Sequence, residues 1–165
     1  LLTVLPTPLV VDQRAPMPQF FVDGSWKDWV DEGGSVLAAP APWVGDTRAL
    51  EWQAQARWGF PVVAGYFVGP DTTPERGGQY GATPTGLTQW MAAIAEADQP
   101  TLATPEQVEE FTTNLRHGRV DAIVLPQGRP AEGALLASLS SAFGEPVTTG
   151  GVHVWDVRSV TDGAG

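Results

Sequence analysis

Three short, continuous apolar runs constrain this chain more than any other feature: SVLAAP (35–40), PVVAGYF (61–67) and VDAIVLP (120–126), each bounded by Gly, Pro or polar residues. A run that is apolar at nearly every position, and too short for a helix, suits a strand covered on both faces. The segments between them carry a different period. In TRALEWQAQARW (47–58), Leu50, Ala54 and Trp58 recur at helical spacing, with Asp46 as a cap and Gly59 at the stop. Leu87, Trp90, Met91 and Ile94 form a second stripe. Thr104 opens a third helix with Pro105 at its first position and Gln107 closing a capping box, ended by Gly118. Ala131 to Phe143 reads as a fourth, stopped by Gly144, and PVTTGGVHVWDV (146–157) as a hairpin turning at Gly150 and Gly151.

Strands alternating with helices of 10–15 residues predict an α/β fold. The expectation is a single three-layer domain, with a mostly parallel sheet, helices on both faces and a C-terminal antiparallel hairpin. The domain spans 20–160. Residues 1–19, with Pro6, Pro8, Pro16 and Pro18, read as an extended arm, and 161–165 as a disordered tail. A start at Leu1 suggests a piece of something longer. DGSWKDWV (23–30) predicts a short amphipathic helix with Trp26, Trp29 and Val30 inward, and GPDTTPERGGQYGATPTG (69–86) a long loop.

Charge removes several classes of function. Nine basic residues against nineteen acidic ones give −10, and Lys27 is the single lysine, so no basic stripe exists to neutralise nucleic-acid phosphates. The same field repels an anionic lipid surface. With zero cysteines there is no disulfide, no thiolate nucleophile and no Cys-ligated zinc.

The catalytic motifs are likewise missing. His117 and His153 are the two histidines, without HExxH or a third metal ligand nearby, and His117 suits a helix C-terminus. His153 and Asp156 lie three apart on a strand, hence on opposite faces, which spoils a triad with Ser159. ERGGQYGATPTG is glycine-rich but has neither a GxGxxG nor a P-loop pattern. Glu51, Glu109 and Glu110 read as solvated helix faces. No catalytic residue, metal ligand or cofactor is assigned.

Ligands of open α/β sheets bind beyond the carboxyl ends of the strands. That rim here comprises Trp43, Asp46, Tyr66, the 69–86 loop, Gln127 and Arg129. Trp43 follows Pro42 in a loop with Asp46 and Arg48 beside it, and an aromatic face next to such groups suits the apolar face and hydroxyl edge of a sugar.

The succession of PxPxFFxDGxWxDWV, SVLAAPAP, ALEWQAQARWGFPVVAGYFVGP, VDAIVLP and GGVHVWDV resembles the C-terminal soluble region of GT-C type membrane glycosyltransferases of high-GC bacteria. The likeness runs from Pro16 to Val157, and its most recognisable piece is Trp52, Gln53 and Ala54 followed by Gly65, Tyr66 and Phe67. Trp52 and Gln53 join the candidate ligand-binding set on that ground. The resemblance implies an upstream transmembrane region of the same polypeptide, a position on the extracytoplasmic side of the cell membrane, and a glycan acceptor as partner. It also implies that the catalytic carboxylate and the polyprenyl-phosphate sugar donor belong to other parts of the enzyme, so that this domain alone transfers no sugar. Two other readings stay open: a structural or protein-interaction domain in which Trp26, Trp52 and Tyr66 are core, and a small free-standing α/β hydrolase.

Overall fold

The computed structural model describes residues 16–43, 46–65, 68–70 and 78–161. The expected arm therefore falls almost wholly outside the described residues, as do four of the five residues of the expected tail; the fifth, Thr161, ends a helix. The elements run α1 (Gln19–Val22), a 3-10 turn (Ser25–Asp28), β1 (Ser35–Ala38), α2 (Arg48–Gln55), β2 (Val62–Val63), β3 (Val68–Pro70), β4 (Gly78–Tyr80), α3 (Gly86–Ala97), α4 (Pro105–His117), β5 (Val120–Pro126), α5 (Glu132–Phe143), β6 (Val147–Thr149), β7 (Val152–Asp156) and α6 (Arg158–Thr161).

The main sheet has five strands in the order β2-β1-β5-β7-β6. β1 pairs parallel with β2 and with β5, while β7 pairs antiparallel with β5 and with β6. The sheet is thus mixed and not mostly parallel. The C-terminal hairpin, expected as an edge, supplies two of the four ladders, and β2 contributes only two residues to its own. β3 and β4 form a separate two-stranded sheet, all of which except Val68 falls in the segment expected to be loop.

The chain leaves β1 for β2 on one side, then returns past β1 to β5 on the other. Right-handed crossovers in opposite directions put their helices on opposite faces, and the burial pattern agrees. Leu37, Ile123, Leu125 and Trp155 face α3, α4 and α5 in one cluster. Val36, Ala38, Val124 and Val154 face the other way, onto Phe20, Phe21, Trp26, Trp52 and Phe60. Alternate residues of each central strand therefore enter different cores, which is why these runs are apolar on both faces apart from Ser35 and Asp121 at their starts.

Local chemistry accounts for the helix ends. Thr104 accepts from the Gln107 amide N–H while the Gln107 side chain accepts from the Thr104 N–H, and Pro105 fills the first turn. α3 carries an analogous box from Thr85 and Thr88. α2 is shorter than its apolar spacing predicts. It stops at Gln55, and Arg57 and Trp58 take left-handed backbone conformations at φ +52° and +59°. Trp58, expected on the buried stripe, is 71% exposed. The expected helix at DGSWKDWV is instead the 3-10 turn, which still buries Trp26. At the hairpin, Gly150 and Gly151 both have positive φ, as a two-residue turn between Thr149 and Val152 requires. Gly150 is also tightly enclosed, since a Cβ there would lie 2.6 Å from the Phe20 nitrogen, whose N–H donates to the Gly150 carbonyl.

Candidate functional site

The order of strands reverses at β1, whose two neighbours are reached by crossovers on opposite faces. The carboxyl ends of β1 and β5 therefore leave a crevice that no crossover helix covers. A cleft of about 1120 Å³ opens there. One wall is the exit from β1, Pro40 to Trp43; a second is the outer side of α3, with Thr88, Gln89, Ala92, Ala95 and Glu96. Ala64, Gly81, Ala82 and Pro84 line it between them, and Arg129 with Pro130 close it from the connection between β5 and α5. Most of this lining is Pro and Ala, which presents a smooth apolar surface.

Trp43 stands at this cleft with 60% of its surface exposed. Its position is set by its backbone: the Trp43 N–H donates to the Asp46 carbonyl at 3.1 Å and the Asp46 N–H returns to the Trp43 carbonyl at 2.9 Å. That closed turn brings Asp46 to the head of α2. The Asp46 carboxylate accepts from the Arg48 amide at 3.2 Å and from Arg48 Nε at 2.8 Å, and its second oxygen takes Arg48 Nη2. Asp46 lies one residue before the cap position held by Thr47, so it does the expected capping work from just outside.

Arg129 reaches the same carboxylate from the far side of the crevice, with Nη2 3.3 Å from Asp46 Oδ2 and Nη1 donating to the Ala39 carbonyl at 3.0 Å. One carboxylate thus serves two guanidiniums. The hydrogen bond from Arg48 holds the Asp46 carboxyl below the ordinary carboxylate range, against the opposing effect of burial, and the charges of both arginines add to it. Arg48 is raised by that bond. Arg129 moves the other way, because burial lowers it by more than the Asp46 charge restores. The two arginines share one anion but not equally: Asp46 is chiefly the partner of Arg48, and Arg129 is under-compensated.

Trp43, Asp46, Arg48 and Arg129 are therefore brought together as expected. Trp52 is 4% exposed and lies in the aromatic core, stacked on Phe21 with centroids 4.8 Å apart and planes 14° from parallel. Gln53 donates from Nε2 to the Phe60 carbonyl at 2.9 Å, tying α2 to the approach to β2. Gln127 is exposed and does not line the cleft; its N–H donates to the Gly151 carbonyl. Tyr66 lies outside the described residues.

Sequence reasoning missed Gln89 and Glu96, because the side of α3 opposite its apolar stripe reads as solvent-facing. It also missed a hydroxyl, imidazole and carboxylate chain behind the cleft. Thr148 Oγ1 lies 2.8 Å from His153 Nδ1, and His153 Nε2 lies 2.9 Å from Glu132 Oε1. Glu132 Oε2 accepts the Gly128 N–H at 2.6 Å, which pins the turn that carries Arg129. Burial raises the Glu132 carboxyl, but the bonds from His153 and Gly128 outweigh it and leave the group below its ordinary value.

Among the described residues, Glu96 is the one carboxylate lining the cleft, so no pair of acids faces across it at those positions. Nor do three His, Cys, Asp or Glu side chains among them converge as metal ligands. No described helix is long and apolar enough to cross a membrane. The chain matches no family model, no curated protein and no solved structure.

Proposed function

We propose that this domain is a glycan-binding module of a membrane glycosyltransferase, holding an acceptor chain on the extracytoplasmic side while transfer takes place elsewhere in the polypeptide. The observation that carries the binding half is Trp43: a large aromatic ring left 60% exposed beside an open, Pro- and Ala-lined cleft at the sheet's switch point. An indole face stacks on the apolar face of a pyranose, and Gln89, Glu96 and Arg129 supply hydrogen-bonding groups around it. The glycosyltransferase half is supported by the sequence pattern alone, from Pro16 to Val157.

Titration with arabinose, mannose, galactose and glucose oligosaccharides, read by tryptophan fluorescence, tests it. A saturable change that disappears in Trp43→Ala is the expected result. A flat response from the folded chain contradicts it and favours a second reading, a structural or protein-interaction domain. That alternative has its own support, since Trp26 and Trp52 are both core residues.

A further inference from the structure

We propose that the cleft receives a sugar bearing an anionic group, a carboxylate or a phosphate, and that Arg129 is the residue that takes it. The inference rests on the glycan reading above and names the ligand class of that same site.

Arg129 keeps only 10% of its side chain exposed, yet it lines the cleft. Its guanidinium is incompletely used. Nη1 and Nη2 have partners, while Nε is buried with none. The contact to Asp46, at 3.3 Å, is long for a charge-assisted bond, whereas Arg48 approaches the same carboxylate at 2.8 Å and through both oxygens. Asp46 is thus divided between two guanidiniums, and Arg129 has the weaker share of it.

A buried guanidinium without a full counter-charge is costly, and a neutral donor would serve the Ala39 carbonyl equally well. The incomplete pairing of Arg129 gains a purpose only when an anion arrives. A chain of net charge −10 repels an anionic ligand over most of its surface, so the attraction has to be supplied locally by Arg129. The planar fork of Arg suits either carboxylate or phosphate oxygens. Glu96, on the α3 wall, sets the polarity of binding: it accepts from sugar hydroxyls while the anionic substituent turns to Arg129.

Glucose, glucuronate and glucose 6-phosphate, titrated into the chain at low ionic strength and followed by amide and indole NMR shifts, separate the cases. Glucuronate, glucose 6-phosphate or both should bind about tenfold more tightly than glucose, as a charge-assisted bond allows, and the tighter of the two identifies the anion. Arg129→Gln should erase that preference. Asp46→Asn, which removes the competing carboxylate, should widen it, and decides the matter if Arg129→Gln does not fold. Equal affinity for all three sugars, or a preference that survives Arg129→Gln, overturns the anionic assignment and leaves the glycan reading standing. A preference that depends on Arg129 but is indifferent to Trp43→Ala does the opposite, keeping the anion site and removing the stacked sugar.

Discussion

The same three-residue device occurs at both ends of the sheet and is put to different use. Asp46 and Arg48 stand at the carboxyl end of β1; Asp156 and Arg158 stand at the end of β7, which runs antiparallel and so reaches the opposite rim. In each, the aspartate accepts the backbone N–H two residues on, at 3.2 and 3.1 Å, and the arginine Nε, at 2.8 and 3.0 Å, while its second oxygen takes Nη2. The third member differs. At the carboxyl rim it is a second cation, Arg129, 10% exposed; at the amino rim it is a second anion, Asp31, 70% exposed. Water screens the exposed Asp31 but has little access to Arg129. An identical local motif is therefore joined by an exposed carboxylate on one rim and by a buried guanidinium on the other, and the difference lies in what the fold brings up behind it.

Removing the two aspartates separates these roles most strongly. Asp46→Ala leaves Arg129 and Arg48 without their shared acceptor and should cost about 2–3 kcal/mol in urea unfolding, the range for losing charged hydrogen bonds. Asp156→Ala should cost less than about 1 kcal/mol, as exposed ion pairs do. Repeating both in about 1 M salt, where the screening length falls to about 3 Å, should leave the first deficit in place and erase the second. Equal deficits would break the comparison.

Glu132→Ala comes next. It frees the Gly128 amide and the His153 ring behind the Arg129 turn, and about 1–2 kcal/mol should be lost, with faster amide exchange at Gly128. Unchanged exchange there would detach the Thr148, His153 and Glu132 chain from the cleft.

Acid distinguishes the rims by the size of the effect. The folded-state pKa of Asp46 lies below its ordinary value, so its contribution is complete above the ordinary carboxylate range and is lost as pH falls from about 4 toward the folded value. Asp156 is lowered in the same sense, but its side chain is 40% exposed and its share is smaller. Asp46→Asn should flatten the acid limb of the stability profile more than Asp156→Asn does. A steeper limb in Asp46→Asn would contradict the assigned direction.

The smallest effect concerns strain. Trp58, just before β2 and therefore on the amino rim, holds φ +59° with 71% of its surface exposed. Trp58→Gly should raise stability by about 0.5–1 kcal/mol by relieving the left-handed conformation, and should leave sugar binding unchanged. A loss of binding would transfer the site to the wrong rim.

Elements specified by nearby residues were legible in the sequence. α4 needs only Thr104, Pro105, Gln107 and Gly118, all within its own length, and β5 is apolar because both its faces are covered. What depends on distant partners was not. α1 is a single turn set between Pro18 and Asp23; its Phe21 finds its place only against Trp52 and Phe60, with Phe20 edge-on to Phe21. α2 shows helical spacing through Trp58, yet the turn at Arg57 carries that indole out to solvent. The site divides in the same way. Trp43, Asp46 and Arg129 follow from the rule that open sheets bind at strand ends. Gln89 and Glu96 do not, because what lies opposite the α3 stripe is decided by how β1 and β5 end. Trp52 and Gln53, suggested by resemblance, belong to packing: one stacks in the core and the other braces Phe60.

The central claim, that the carboxyl-rim cleft is where this domain meets its ligand, is tested most directly by NMR of the indole and guanidinium N–H groups during a glucuronate titration. The account predicts that the Trp43 indole and the Arg129 Nε–H shift together and saturate together, while the Trp58 indole stays still. Silent Trp43 and Arg129 signals, or a saturable shift at Trp58 instead, would contradict it.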